Sequence, residues 1–254
     1  MDTRTDRTTI ITTEKKIPWT IVHEDALIMV VHKDSGIPVI PERWETQAEN
    51  LVGQVSALRP GAANVHRIDR ETSGLVLFAK NPDVFRVLSM AFAGREVEKR
   101  YLLLAWGRPT WTAMDCEAHL VPDGDRQHRT IVVPRGGKEC FTAFKLIRQY
   151  GPVCLLEAFP QTGRTHQIRV HALKLGIPLV GDKLYGGDSL LLSKLKSSWR
   201  GDREREKPLI DRCSLHAASL AFNHPGTGDR VSFEGPVPAD FSVTLKQLER
   251  LFGA

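Results

Sequence analysis

The chain has 254 residues, of which 41% are hydrophobic and 26% charged, a composition typical of globular proteins with one sizeable core. No apolar run reaches the about 18 residues that a membrane-spanning helix needs. The formal net charge is +5, which favours a polyanionic partner without identifying one.

The amino-terminal stretch, residues 1–16, is polar and rich in threonine. It has no apolar segment long enough for a secretory signal. It also contains Asp2, Asp6 and Glu14, which argue against an organellar transit peptide. We therefore expect a mobile leader on a cytoplasmic protein, followed by one domain over residues 17–254.

Short strands and helices are predicted along this domain from the spacing of apolar, capping and turn residues. In chain order they are strands at 21–23 and 27–31, a helix at about 46–58, a buried strand at 74–79, a helix at 82–93, a strand at 100–106, hairpins and loops over 109–138, strands at 141–147 and 153–159, a helix at 165–175, a basic, partly amphipathic insertion at 188–212, strands at 213–222 and 230–233, and a helix that Asp240 caps and that ends near 251. Because strands outnumber helices and do not alternate strictly with them, we predict an α+β fold with a mixed, largely antiparallel sheet flanked by helices.

The four cysteines are far apart in the sequence and form no C-x-x-C pair. This spacing indicates neither a disulfide framework nor a zinc finger. We expect reduced thiols that pack as small hydrophobic groups at Cys116, Cys140, Cys154 and Cys213.

A dense group of polar residues, His66 to Gly74 (HRIDRETSG), stands directly before the buried strand at 74–79. Its acid, Asp69, is near Arg67 and Arg70, and neighbouring cations lower a carboxylate pKa by about 1–3 units. The charge pattern alone leaves two interpretations open. Asp69 is either a functional carboxylate or the partner of Arg67 or Arg70 in a structural salt bridge.

A second polar group, Gln161 to His171 (QTGRTHQIRVH), opens the helix predicted at 165–175. The free N–H groups of a helix start favour anions. A metal site formed by the histidines is disfavoured, because His166 and His171 are five residues apart rather than four. Polar histidines that hydrogen-bond within the fold are the preferred interpretation.

Together the two groups resemble the signatures of RluA-type pseudouridine synthases. The stretch HRIDRETSGLVLFAK is similar to the first signature of that family, and GRTHQIRVH with GIPLVGDKLYG is similar to the second. Between them, Lys99 and Tyr101 match a short K-x-Y element. The similarity runs from about Trp19 to about Phe241. It implies a single catalytic domain with a central RNA-binding cleft and no separate amino-terminal RNA-binding domain.

One element departs from the family pattern. Relatives usually carry Asn-Lys-Pro-x-Gly after the second strand, where this chain has His32-Lys33-Asp34-Ser35-Gly36. Loss of the proline is expected to loosen the turn and to alter its contact with RNA, while Lys33 and Gly36 are kept.

The resemblance implies a reaction in which uracil is detached from its ribose, turned and rejoined through carbon 5. Asp69 is implied as nucleophile or as stabiliser of the sugar intermediate, and which bond it acts on stays open. Arg169 is implied to pair with Asp69 and keep it ionised. Tyr101 is implied to pack on the uracil ring, and is a candidate for removing the proton from carbon 5. No cofactor or metal is implied.

The same resemblance places Arg67 in the stack that a flipped-out base leaves behind. We expect contacts with RNA from Lys33, His66, Arg67, Arg70, Arg164 and His166. The insertion at 188–212 is either an RNA-contacting flap or a solvated helix. The expected substrate is a stem-loop of ribosomal or transfer RNA, bound by a monomer.

Two other classes of protein share parts of this sequence pattern. A non-catalytic RNA-binding or ribosome-assembly protein of the same fold could dispense with Asp69, Tyr101 and Arg169, and all three are present. A metal-dependent RNA hydrolase needs a clustered set of carboxylate or histidine ligands, which the sequence lacks. Both considerations favour an RNA-modifying isomerase.

Overall fold

A sheet of eleven strands forms the centre of the computed structural model, which describes residues 18–41 and 49–253. Within these ranges the strands are β1 (Trp19–Glu24), β2 (Ile28–Lys33), β3 (Ala63–Asn64), β4 (Ser73–Ala79), β5 (Glu98–Trp106), β6 (Ala113–Val121), β7 (Ile131–Val133), β8 (Lys138–Tyr150), β9 (Val153–Pro160), β10 (Leu215–Asn223) and β11 (Arg230–Glu234). Their order is β1-β2-β4-β10-β5-β9-β8-β6-β7, with β3 on β4 and β11 on β10. The leader predicted at 1–16 lies outside the described residues.

Neighbouring strands run antiparallel, with one exception. Strands β4 and β10 are parallel and pair through His216 with Ser73 and Ala217 with Gly74. This pairing confirms the α+β prediction with a mixed, largely antiparallel sheet. The two backbones meet closely here, because a Cβ on Gly74 would lie 2.2 Å from the carbonyl oxygen of Ala217.

The helices flank this sheet. They are α1 (Leu51–Leu58), α2 (Pro82–Ala93), α3 (Gln167–Lys174), α4 (Leu192–Leu195) and α5 (Ala239–Phe252), with a short 3-10 helix at Lys183–Tyr185. In the described ranges, none of them combines the length and apolar content that a membrane crossing requires.

Capping residues explain where the first two helices begin. The side chain of Asn81 accepts a hydrogen bond from the Val84 amide and starts α2 at the predicted residue. The side chain of Asn50 does the same for Gly53, so α1 begins at Leu51. The earlier start predicted near 46 falls in residues 42–48, outside the described ranges.

The prediction that Asp240 caps the last helix is wrong. Asp240 lies inside the first turn, where its carboxylate accepts hydrogen bonds of 2.6 and 3.0 Å from Arg212 and one of 2.7 Å from the Phe241 amide. Pro238 occupies the capping position, where no side-chain hydrogen bond forms. The helix therefore depends on its packing, with Phe241 and Leu248 fully buried.

Strand β4 is buried on both faces, as its nearly continuous apolar sequence predicts. Val76 and Phe78 pack on one face in a cluster that includes residues of α1. Leu75 and Leu77 pack on the other face in a cluster that includes residues of α2. The loop that leads into β4 is therefore anchored to a strand whose residues are all buried.

The insertion at 188–212 is mostly irregular, and only the four residues of α4 are α-helical. Leu190 and Ile210 are buried in a cluster with Phe241 and Leu248 of α5. The predicted helical alternative for the insertion is therefore wrong for most of its length. The four cysteines are free and buried, as predicted.

Candidate active site

A cleft opens where the loop before β4 faces the turn between β9 and α3. It encloses a cavity of about 350 Å³, a size typical of small-molecule sites. Its lining comes from both polar groups of the sequence together with β5 and α2, and includes His66, Arg67, Ile68, Asp69, Phe92, Lys99, Tyr101, Thr162, Arg164, His166, Ile168 and Arg169.

The order of strands brings these distant segments together. One row across the sheet joins Gly74 of β4, Ala217 of β10, Tyr101 of β5 and Ala158 of β9. Asp69 lies just before the first of these strands, and the turn that leads into α3 follows the last. The two predicted polar groups therefore meet, with Tyr101 between them.

Lys33 holds the Asp69 loop from beneath. Its side chain is fully buried, and its ammonium donates hydrogen bonds of 2.8–3.0 Å to the carbonyl oxygens of Asp34, Ile37 and Arg70. Burial lowers the pKa of Lys33 to about 7, an effect that the charge of Asp69 opposes. The prediction that Lys33 contacts RNA is wrong, because its three N–H donors serve the protein backbone and solvent does not reach it.

Asp69 faces two residues of the second polar group. Its Oδ2 atom lies 3.5 Å from an Arg169 guanidinium nitrogen and 4.0 Å from Nε2 of His166. About 20% of its side chain is exposed, so the carboxylate remains accessible from the cleft. This geometry brings Asp69 and Arg169 together as predicted.

Arg169 has a stronger partner that the sequence did not reveal. Its Nε and Nη2 atoms donate hydrogen bonds of 2.8 and 2.7 Å to Asp182, whose side chain is fully buried. Burial opposes the charge of Arg169, but the hydrogen bond to Asp182 and the charges of Asp182 and Asp69 raise its pKa. Asp182 thus fixes the guanidinium, and a remaining nitrogen points toward Asp69.

Local backbone geometry places Asp182. The preceding residue, Gly181, has a φ of +73°, and a Cβ there would lie 2.2 Å from the carbonyl oxygen of Arg212. Only glycine fits this approach. The motif Gly181-Asp182 was therefore the signal for a second carboxylate, although the sequence did not show its partner.

His166 is held by Tyr185. Its Nδ1 atom lies 2.9 Å from the Tyr185 hydroxyl, and its backbone has a φ of +55°, so α3 begins one residue later. Burial lowers the pKa of His166, and the charge of Asp69 opposes this change. The Tyr185 ring also lies 4.9 Å from the Arg169 guanidinium carbon.

Tyr101 projects from β5 into the cleft and packs against two core clusters. Burial raises the pKa of its phenol, and the charge of Asp69 raises it further. The ring is therefore a neutral phenol at physiological pH. A neutral phenol is better suited to packing against a nucleobase than to accepting a proton.

The expected RNA-contacting residues divide by their surroundings. Arg67 and Arg164 are exposed at the mouth of the cavity. Arg70 lines a second opening of about 440 Å³ that shares Asp69 with the first, together with Lys183, which the sequence analysis did not select. His66 is a wall residue, since it accepts a hydrogen bond from the Leu77 amide.

The surroundings of His66 also determine its charge. Its ring stacks on Phe92 with 4.8 Å between centroids. Burial lowers the pKa of His66 to about 3, and the charge of Lys99 contributes. His66 therefore contributes a neutral surface to the cleft rather than a positive charge.

Comparison with known proteins identifies the family. The model of the family described as RNA pseudouridylate synthase matches residues 27–174, more than half of the chain. The chain belongs to this family. The dual-specificity RNA pseudouridine synthase RluA of Salmonella typhimurium is 31% identical over 88% of this chain and 95% of its own length. Ribosomal large subunit pseudouridine synthase D of Zymomonas mobilis is 33% identical over 91% of this chain and 73% of its own length.

The fold of the synthase has been seen in a solved structure. Human RNA pseudouridylate synthase domain containing 4 superposes with a TM-score of 0.72, at 23% identity, over 90% of this chain and 92% of its own. This likeness confirms the fold expected from the sequence, and the family model and the two relatives confirm the expected family and enzyme class. The synthase is an isomerase that acts on RNA.

Several residues of the synthase's cleft were missed by sequence reasoning. Asp182 and Tyr185 orient Arg169 and His166, and Lys99 lines the cavity, yet none was assigned a role. All three stand in stretches that match the family pattern. His171 is buried and hydrogen-bonded to Thr142, as expected of a polar core histidine. Within residues 18–41 and 49–253, no group of three or more His, Cys, Asp or Glu side chains could hold a metal ion.

Proposed function

We propose that this synthase converts uridines of a ribosomal or transfer RNA stem-loop to pseudouridine, with the target base flipped into the cleft. The observation that carries the proposal is the Asp69 carboxylate, which lies 3.5 Å from Arg169 in the cavity of about 350 Å³ that Tyr101 also lines. A cavity of this size accommodates one nucleoside and excludes a base-paired duplex.

Within this proposal Asp69 acts on the sugar or the base of the flipped nucleotide. Arg169 offsets the negative charge of the partly exposed Asp69 carboxylate and orients it. Tyr101 packs on the uracil ring as a neutral phenol, a role favoured by its raised pKa. The isomerisation changes no oxidation state and adds no atom, so it requires no cofactor.

The rim of the cleft fits a flipped base in structured RNA. Extrusion of a base from a helix costs a few kcal/mol. Arg67 is exposed two residues before Asp69 and can fill the space left in the stack. Arg70, Arg164 and Lys183 surround the openings and offer positive charge to the phosphates.

The substrate class is inferred from charge and from relatives. A net charge of +5 favours RNA binding, and one relative is by name a synthase of the large ribosomal subunit. Ribosomal RNA is therefore the first candidate, and transfer RNA the second. We propose that the enzyme acts as a monomer in the cytoplasm, where these RNAs are exposed during maturation.

A comparison of pseudouridine maps tests the assignment. Total RNA from cells with and without the gene would be sequenced after a pseudouridine-specific chemical treatment. At least one uridine of ribosomal or transfer RNA should lose its modification in the deletion strain. Incubation with the purified protein should restore it. Identical maps in both strains would contradict the proposed substrate.

The Asp69→Asn variant tests the carboxylate on the RNA so identified. Asparagine keeps the shape of the side chain and removes its charge, so RNA affinity should remain while product formation falls by more than about 1,000-fold. Filter binding and single-turnover assays measure the two quantities. Near-normal product formation by this variant would remove Asp69 from the chemistry.

A further inference from the structure

Lys99 lies in the wall of the cavity, and the reaction proposed above assigns no role to its positive charge. It stands two residues before Tyr101 on β5, and residues two apart in a strand point to the same face. Arg100, between them, points to the other face and pairs with Glu157 and Glu234. Lys99 and Tyr101 thus face the cavity together.

No carboxylate of the described chain pairs with Lys99. Its ammonium makes one hydrogen bond, 3.3 Å long, to the carbonyl oxygen of Thr162. Two of its three N–H donors are therefore left for a ligand. Burial alone lowers the pKa of Lys99 to about 8. A half-buried ammonium without a charged partner costs free energy in the empty enzyme. A negative group bound in the cavity would reduce that cost.

The cavity as a whole has an excess of positive charge. Its lining contains four cations, Arg67, Lys99, Arg164 and Arg169, against the single carboxylate of Asp69. Arg169 is shared by Asp69, at 3.5 Å, and the buried Asp182, so with Asp182 included four cations still face two carboxylates. His66, beside Lys99, has a pKa lowered to about 3 and is neutral. The part of the cavity near Lys99 is therefore arranged for an anion.

The uracil ring becomes such an anion during the reaction. When the C1′–N1 bond breaks, its electron pair stays with the base and spreads onto the ring carbonyl oxygens, while Asp69 meets the electron deficiency of the sugar. Attack of Asp69 on the base would likewise place negative charge on a carbonyl oxygen. When the C1′–C5 bond later forms, any bond between Asp69 and the sugar or the base breaks and its electron pair returns to the carboxylate. C5 loses its proton and N1 gains one, so atoms and charge balance.

We propose that the Lys99 ammonium donates a hydrogen bond to a carbonyl oxygen of the flipped uracil and stabilises the negative charge that develops on the base. This inference rests on the proposed function. Lys99 remains protonated throughout and transfers no proton. A preorganised donor at a developing charge contributes about 100- to 1,000-fold in rate.

Two substitutions of Lys99 and one distant control test the proposal. Lys99→Met should lower the single-turnover rate at saturating enzyme by about 100-fold, with RNA affinity unchanged. Lys99→Arg, which keeps the charge, should recover most of that loss. Lys246→Met removes the same charge from the exposed face of α5 and should react like the wild type.

The pH dependence provides a second readout. In the wild type, kcat/KM should decline above about pH 8, because the free ammonium loses its proton there. Lys99→Arg should show no decline in this range. The other ionisable residues of the lining, His66, Asp69, Tyr101, His166 and the arginines, are the same in both proteins. A decline common to both would contradict the proposal.

Other outcomes have distinct signatures. A rate that rises through pH 8 in the wild type alone would make Lys99 a general base. Weaker RNA binding with an unchanged saturating rate, and a salt slope reduced by about one, would make it a phosphate contact. A lower melting temperature with a normal rate per folded molecule would make it structural. Each of these results would overturn the inference while leaving the proposed function intact, whereas a wild type that modifies no RNA would refute both.

Discussion

At the scale of single residues, the cleft is organised by charges that pair across the fold. Asp69 and Arg169 lie 3.5 Å apart, and Asp182 receives both shorter hydrogen bonds of the guanidinium. A buried cation shared by two carboxylates needs the planar fork of arginine. The position of Asp69 in the cleft therefore depends on Asp182, which touches no substrate atom in the proposed reaction.

Arg169→Lys should lower turnover by about 100-fold, because a single ammonium cannot hold Asp182 in a bidentate pair and still reach Asp69. The matched control is Arg100→Lys. Arg100 also bridges two carboxylates, Glu157 and Glu234, but on the opposite face of β5. The single-turnover rate of Arg169→Lys should fall, and that of Arg100→Lys should stay near the wild-type rate. Equal rates for the two variants would exclude Arg169 from the site.

At the scale of elements, the join between β4 and β10 sets the position of the Asp69 loop. These are the two parallel neighbours of the sheet, and they pair only through the first residues of β4. Gly74 makes this approach possible, with a φ of +119° and no side chain against Ala217. The predicted buried strand and the functional loop are thus coupled through one glycine.

Gly74→Ala should lower the free energy of unfolding by roughly 3 kcal/mol, because the added methyl group meets backbone and the φ value disfavours alanine. Gly163→Ala is the control, since no atom lies within 4 Å of its Cβ position and its φ is not in the left-handed region. Urea denaturation measures both. A Gly74 variant as stable as the Gly163 variant would show that the join can relax.

At the scale of the whole molecule, several buried histidines link stability to pH. Burial lowers the pKa of His66 to about 3 and that of His171 and His216 to about 4. Unfolding returns each of them to about 6.5, so the unfolded state binds more protons below that pH. Acidification must therefore favour the unfolded state before the carboxylates begin to titrate.

The melting temperature should fall steadily between about pH 6.5 and pH 4.5. His171→Asn should reduce the slope, because one of the groups that take up protons on unfolding is removed. Calorimetry in buffers of equal ionic strength measures the effect. A melting temperature that is constant over this range would contradict the burial of these imidazoles.

Local patterns in the sequence determined several helices and strands of this protein and the family to which it belongs. Each of these patterns lies within a few adjacent residues: the apolar run of β4, the Asn81 and Gly94 limits of α2, and the two long motifs. Burial follows the period of a strand or helix, and capping residues stand at the helix ends. The motifs also led to the family and to the meeting of Asp69 with Arg169. These features required no knowledge of distant contacts.

Only the tertiary structure decided which charged groups pair. Lys33 was expected at the RNA surface and is buried beneath a loop 37 residues away, and Asp240 was expected to cap a helix and binds Arg212. Arg169 takes Asp182 as its bidentate partner, and among the residues that the structure describes no carboxylate pairs with Lys99. Charge is visible in a sequence, but its partner depends on packing between strands that are remote in the chain, and electrostatic energy depends on that distance and on burial.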